Sequence, residues 1–304
     1  MSQKGKNLAA SVRHRLANVA ERAGADFQQI LSSYAIERFL YRLSVSKHGK
    51  DFVLKGATLF TLWEGFPHRQ TRDVDLLGFG DKSIERLIEV FQEILASPVP
   101  DDGLTFSKDV TGEPIRAVQE YGGTRMNLIA NLGNARITVG VDVGFGDKIT
   151  PPPKELEFPT LLDFPKPKVR AYPVETVVAE KLQALVTLGI ANSRMKDFFD
   201  LWHIARNTTF DGNKLSSAIA GTFERRKTVI PSETPVGLSA EFSGNPMKRT
   251  QWRAFCRKAV KAEKIVELDQ VVDLLSGFLL PILRAVANNT DFKAKWVAGG
   301  PWWT

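Results

Sequence analysis

Asp73 and Asp75 lie two residues apart in the stretch RQTRDVDLLG (69–78), with Val74 between them and Leu76 after them. Alternate residues of a strand share a face, so the two carboxylates would project side by side, about 7 Å apart at ~3.3 Å per residue. Like charges at that spacing repel and raise each other's pKa unless a cation neutralises them. Arg69 and Arg72 bring positive charge to the same stretch. A third acid occurs in RITVGVDVGFG (136–146), where Ile137, Val139, Val141 and Val143 alternate with Thr138, Gly140, Asp142 and Gly144. One face of that run is apolar; the other is small and carries a single carboxylate. Asp73, Asp75 and Asp142 together make a hard-oxygen donor set suited to magnesium, which keeps waters and binds through substrate phosphates as well. Two such ions can clamp the attacking and leaving oxygens of an in-line phosphoryl displacement. A D-x-D on a solvated strand edge has the same sequence signature, so the pair alone leaves both readings open.

Upstream stands LKGATLF (54–60), which reads as a strand end, a turn at Gly56 and a helix start. Free N–H groups at a helix start suit a phosphate, and Thr58 adds a hydroxyl. An ordinary strand-to-helix turn has the same residues. A second group lies far along the chain. In VETVVAEKLQALVTLG (174–189), steps of three and four run through Val174, Val178, Lys181, Leu185 and Leu188, which puts Lys181 on the core stripe. Lysine is rarely buried unless paired, although its stem can reach an edge; at a cleft it can hold nucleotide phosphates as a point charge. In NSRMKDFFDLWHIAR (192–206), Met195, Phe198, Phe199 and Trp202 form one face, while Asp197 and Asp200 share the opposite face with Leu201 and Ile204. Those acids can orient Lys181, act as general base on an attacking hydroxyl, or form an internal ion pair with Lys181, Arg194 or Lys196. His203 is one of four histidines, and no His cluster suggests zinc.

The elements that must carry these residues are legible in outline. Two amphipathic helices are expected over 7–45, then a strand at DFVLKG, a short helix ending at Gly65, the RDVDLLGFG strand, and a helix KSIERLIEVFQEILA stopped by Pro98. TRMNLIANLG and ARITVGVDVGFGD read as strands. Residues 150–173 hold seven of sixteen prolines, a composition that excludes a helix or a central strand and suggests a connection between domains. Beyond it the pattern is almost wholly helical. The expected organisation is therefore a mixed α+β domain over 1–150, a proline-rich connection over 151–173 and a helical domain over 174–304.

Composition bounds the class. With 304 residues, 43% hydrophobic and 25% charged, the chain reads as soluble and globular, large enough for two domains. A net charge of +7 and pI near 9.4 permit a polyanionic partner. The single Cys256 excludes an internal disulfide and a cysteine zinc site, which fits the cytoplasm. The start MSQKGKNLAA lacks the apolar run of a signal peptide, and VVDLLSGFLLPILRAV (271–286), interrupted by Asp273, Pro281 and Arg284, reads as too short to span a bilayer. From Lys248 to Lys264 there are seven basic residues and one acid. As a helix, Arg249, Arg253, Arg257, Lys261 and Lys264 would form one stripe beside Trp252, Phe255, Cys256 and Ala259; such a stripe follows a phosphate backbone or is a solvated face. Arg225, Arg226 and Lys227 would extend it.

LKGATLFTLWEG, RQTRDVDLLG, VDVGFGD and AEKLQALVTLGIANSRMKDFFDLW, in this order, resemble the AbiEii/AbiGii-type nucleotidyltransferase toxins of type IV toxin–antitoxin systems, over about residues 10–206. The resemblance implies a polymerase-β-like nucleotidyltransferase domain followed by a helical domain, a role in phage defence, and in some members transfer of nucleotides to the acceptor end of tRNA. It also implies Gly56 to Thr58 as the phosphate-facing turn, Asp73 and Asp75 as metal ligands, Lys181 as an essential lysine and Asp197 or Asp200 as the acid beside it. Ala57 stands where relatives commonly have Gly or Ser, leaving Thr58 to supply the hydroxyl. Asp142 would be the third ligand, with Asp147 nearby; Arg69 is counted with Gly56, Thr58 and Lys181 among the nucleotide-binding candidates. The implied reaction transfers NMP from an NTP to an RNA 3′ end with two magnesium ions, manganese being an alternative. The implied partners are NTP, RNA and a cognate antitoxin, with no membrane. A small-molecule or protein acceptor, and an inactive interaction module, are the competing readings.

Overall fold

The computed structural model of the chain describes residues 3–65, 71, 73–115, 122–259 and 266–303. It divides into two compact units, Met1–Gly146 with Lys154–Ala171, and Asp147–Pro153 with Tyr172–Thr304. The first unit runs α1 (Gln3–Ala23), α2 (Phe27–Val45), β1 (Phe52–Lys55), α3 (Thr58–Glu64), β2 (Asp73–Gly78), α4 (Ile84–Leu95), β3 (Leu104–Phe106), β4 (Thr111–Ile115), β5 (Gly123–Leu132), β6 (Ala135–Phe145), β7 (Lys154–Glu157) and β8 (Lys168–Ala171). One eight-stranded mixed sheet results, in the order β3-β5-β6-β2-β1-β8-β7, with β4 also on β5. β2 lies parallel to β6 and antiparallel to β1, and β5–β6 is an antiparallel hairpin. This is the α+β architecture expected from the sequence.

Alternation sorts the two faces. On β2, Val74 and Leu76 are buried while Asp73 and Asp75 are half-exposed; on β6, Val139, Val141 and Val143 are buried while Asp142 is half-exposed. Leu40 and Leu43 of α2 meet Leu54 and Leu76 around a common small cavity, which places α2 on the apolar face. Phe91 of α4 stacks on Phe39 and meets Phe52 edge-on, both at 5.8 Å between ring centroids. α2 is buried almost all round and takes charged groups with it: Glu37, Arg38 and Arg42 are all inside. Each has a partner far along the chain, as buried charge requires, although the Arg38 Nε is left without a hydrogen bond among the described residues. Arg42 grips Asp102 with two bonds of 2.7 and 3.1 Å, Arg38 donates to the Pro165 carbonyl at 2.9 Å, and Glu37 accepts the Leu161 N–H at 2.7 Å and pairs with Arg38 at 2.9 Å. Burial, only partly offset by Arg38, pushes the Glu37 carboxyl up to about 7.

The proline-rich stretch differs from its expected role as a plain connection. β7 and β8 pair with each other, and β8 pairs parallel to β1 inside the first unit's sheet. The seven prolines stand before, between and after these strands and never within them, so no ladder donor is missing where a strand needs one.

The second unit holds α5 (Val174–Leu188), α6 (Met195–Asn207), β9 (Phe210–Asp211), α7 (Gly212–Arg225), α8 (Ala240–Gly244), α9 (Pro246–Ala259), α10 (Leu268–Ala287), β10 (Lys295–Trp296) and β11 (Trp302–Trp303). Helices dominate as expected, and a small sheet in the order β11-β10-β9 adds to them. α10 corrects the sequence reading of 271–286: its 20 residues continue through Pro281, so by length and composition it could cross a membrane. In this unit Leu275, Phe278, Leu279 and Ile282 are fully buried, and the helix packs on α6 and α7.

Candidate active site

The strand register sets out the acidic face. Asp73 lies beside Gly140, and Asp75 beside Asp142. Lys55 on β1 is across from Asp75, and Arg125 on β5 is across from Asp142. A row of charges therefore crosses four strands as Lys55, Asp75, Asp142 and Arg125. Glu113 of β4 is the next residue along, beside Arg125. Arg125 grips Asp142 with two bonds, Nε to Oδ1 at 2.7 Å and an Nη to Oδ2 at 2.8 Å, and reaches Asp73 Oδ2 at 3.2 Å. Bonding to Asp142 holds the guanidinium pKa above its ordinary value against the opposing effect of burial. Sequence reasoning missed Arg125; its signal was the polar phase of TRMNLIANL, where Thr124, Met126, Leu128, Ala130 and Leu132 are buried and Arg125 and Asn127 take the other face.

Two glycines make room for the acids. A Cβ on Gly56 would lie 1.9 Å from Asp75 Oδ2, and φ there is +74°, a conformation L side chains rarely adopt. A Cβ on Gly140 would lie 2.5 Å from Asp73 Oδ1. The turn before α3 and the neighbouring strand are thus shaped around carboxylates. Thr58 is buried, and its hydroxyl has no hydrogen-bond partner among the described residues.

The residues present fit a divalent cation. Asp73 and Asp75 offer hard oxygens with glycine clearance beside each, and Arg125 bonds both Asp142 and Asp73. Among the described residues no three His, Cys, Asp or Glu side chains form a ready metal cluster. Asp147 belongs to the second unit and pairs with Arg226 at 3.0 Å. Arg69 lies outside the described residues.

In the second unit Lys181 of α5 meets Asp197 at 2.7 Å and Asp200 at 2.8 Å, both on α6. The acids are fully buried, and the lysine side chain is 14% exposed. Arg194 adds a second cation at 2.8 Å from Asp197, so two cations balance two anions. Burial alone would lower the Lys181 pKa; Asp197 and then Asp200 outweigh it and push it up to about 12. Of the sequence alternatives this geometry is the ion-paired one, with both acids oriented on the ammonium.

On α9 the basic stripe is represented by Arg249, Arg253 and Arg257, all exposed, while Lys261 and Lys264 lie outside the described residues. Arg253 pairs with Glu267 at 3.1 Å. Lys248 is buried instead, donating to the Asn192 carbonyl at 2.9 Å. Arg226 does not extend the stripe: it is tied to Asp147, Glu180 and Gln183.

Acids set out on strands in this way, with a turn shaped against one of them, can serve phosphoryl-group transfer, the chemistry of the nucleotidyltransferase class. Residues 38–274, most of the chain, match the family model described as "Nucleotidyl transferase AbiEii toxin, Type IV TA system", and the chain belongs to this family. Membership carries an NTP substrate and an antitoxin partner with it. No curated protein sequence matches significantly. Among solved structures, JHP933 from Helicobacter pylori is similar in fold, with a TM-score of 0.50 at 14% identity, covering 87% of this chain and 94% of its own. A candidate nucleotidyltransferase from H. pylori, also 14% identical, gives a TM-score of 0.45 over 95% of this chain and 97% of its own.

Proposed function

We propose that this nucleotidyltransferase toxin transfers NMP from an NTP to the 3′ end of an RNA, tRNA being the expected acceptor, and releases pyrophosphate. The observation that carries the reading is the acidic face of β2, where Gly56 and Gly140 leave room for Asp75 and Asp73. Asp73 and Asp75 would hold magnesium, two ions being expected and manganese a substitute, and Asp142, the third ligand expected from the sequence, would add a lone pair while Arg125 stays bonded to it. When bound, the metal supplies Lewis-acid stabilisation of the attacking and leaving oxygens. The Gly56–Thr58 turn faces the phosphates. Lys181 is the essential lysine of the reaction: an ammonium has three N–H donors, and Asp197 and Asp200 engage two. Those two acids aim the ammonium and keep it charged. Exposed Arg249, Arg253 and Arg257 favour a polyanionic acceptor over a small molecule. Blocking the acceptor end of tRNA would stop translation in the cytoplasm, the outcome expected of a defence toxin.

The test is incubation of the full chain with each labelled NTP and total RNA, with magnesium or with EDTA, followed by a gel. Magnesium-dependent label on tRNA-sized RNA supports the reading. Label on a protein or small-molecule fraction alone would move the acceptor, and label that survives EDTA would overturn the metal assignment.

A further inference from the structure

Arg125 is the one basic side chain found in direct contact with two of the three strand-borne acids among the described residues, and its contacts are unequal. Nε and one Nη bind Asp142 at 2.7 and 2.8 Å, and that same Nη reaches Asp73 Oδ2 at 3.2 Å. The short pair forms a fork, in which a planar guanidinium matches a carboxylate with two parallel bonds. The contact to Asp73 is the long, single one, made diagonally across β6 from β5 to β2. Gly140 permits it, since a side chain there would strike Asp73. The β5 backbone is paired along both edges, with β4 and with β6, so the anchor of Arg125 is rigid and only its side chain can move.

We propose that Arg125 is a built-in counter-cation of the acidic face: Asp142 anchors it, and it neutralises Asp73 until a divalent cation takes that carboxylate over. The inference rests on the reading of Asp73 as a metal-holding residue. It gives Arg125 a positioning role. The guanidinium stabilises the acids before metal arrives and weakens metal binding by competing for Asp73. Asp73 is 43% exposed and Arg125 38% exposed, so water screens the competition and the effect is modest. Removal of the guanidinium should tighten divalent-cation binding about fivefold.

The experiment uses Mn2+ as the probe, with affinity read by electron paramagnetic resonance and melting temperature read with and without the ion. The full chain is compared with Arg125→Gln, Arg125→Lys and Asp73→Asn. Arg125→Gln should bind Mn2+ about fivefold more tightly, melt lower without the ion, and gain more from it than the wild type does. Arg125→Lys, which keeps the charge but not the fork, should shift affinity in the same direction by less, and it serves as the variant if Arg125→Gln does not fold. Affinity equal to or weaker than wild type in both Arg125 variants, with Mn2+ binding lost in Asp73→Asn, overturns the counter-cation role alone. Equal Mn2+ affinity in wild type and Asp73→Asn overturns the metal assignment and this inference together.

Discussion

Replacing Lys181 with alanine removes the ammonium from between Asp197 and Asp200 and leaves two fully buried carboxylates, with Arg194 at 2.8 Å from Asp197. The magnitude can be approached from two sides. Raising the lysine pKa from 10.5 to about 12 corresponds to about 2 kcal/mol at neutral pH. The sign is that of a raised lysine: the contribution is fully present below the unfolded value and is lost as pH rises through 12. Breaking a buried pair by removing one partner costs about 3–5 kcal/mol, because an uncompensated charge stays inside. A loss of about 2–5 kcal/mol lowers the melting temperature by roughly 5–15 °C for a unit of this size. Melting curves followed by circular dichroism measure it. Lysine-to-alanine loss of activity alone would not separate chemistry from misfolding, so a second variant is needed. Lys181→Ala/Asp200→Asn restores the charge balance, with Arg194 facing Asp197, and should recover at least half of the lost melting temperature while nucleotide transfer stays absent. A single variant melting within about 2 °C of wild type would refute the buried-cluster energetics. Recovery of transfer along with stability in the double variant would refute the essential role proposed for Lys181.

Asp75→Asn should abolish transfer while keeping the fold, with a melting temperature unchanged or higher without metal, since one like charge on the face is gone; a clear fall would make Asp75 structural. Glu37 should give the wild type a loss of stability as pH rises from about 4.5 to about 7, because its folded carboxyl binds protons more tightly than the unfolded one. The melting temperature of Glu37→Gln relative to wild type should therefore climb across that window, and a flat difference refutes the shift. Arg253→Glu/Arg257→Glu should weaken RNA binding and flatten its salt dependence by about 0.7 to 0.9 in log–log slope per lost phosphate contact, with NTP affinity unchanged; an unaltered slope would make the exposed face of α9 merely solvated.

What the sequence shows and what it hides follow from the range of the interactions. The D-x-D pair, the alternation of β6 and the two-sided burial of α6 are local periodicities, and each is present as read. Lys181 was found because a charged residue on an apolar stripe is a local anomaly. Arg125 was not, because its partners Asp142 and Asp73 lie 17 and 52 residues away and meet it only through strand register. Buried Glu37, Arg38 and Arg42 were hidden for the same reason: their partners Leu161, Pro165 and Asp102 are 124, 127 and 60 residues distant. β9, β10 and β11 have two residues each, too few for any period to register. Prolines around β7 and β8 masked strands that contain none, and Pro281 suggested a break in α10 that the burial of its neighbours overrides.

The clearance beside Asp73 and Asp75 has a genetic consequence. Neither Gly56 nor Gly140 has a side chain to touch a substrate, yet one added methyl on either would strike a carboxylate, at 1.9 and 2.5 Å. For a toxin, cells that survive its expression are a collection of inactivated copies. Such survivors should carry changes at codons 56 and 140 as often as at codons 73 and 75, and the glycine changes should include alanine, the smallest step available. A map of escape mutations would then trace the outline of the acidic face in residues that perform no chemistry, a negative print of the site drawn by what must stay absent.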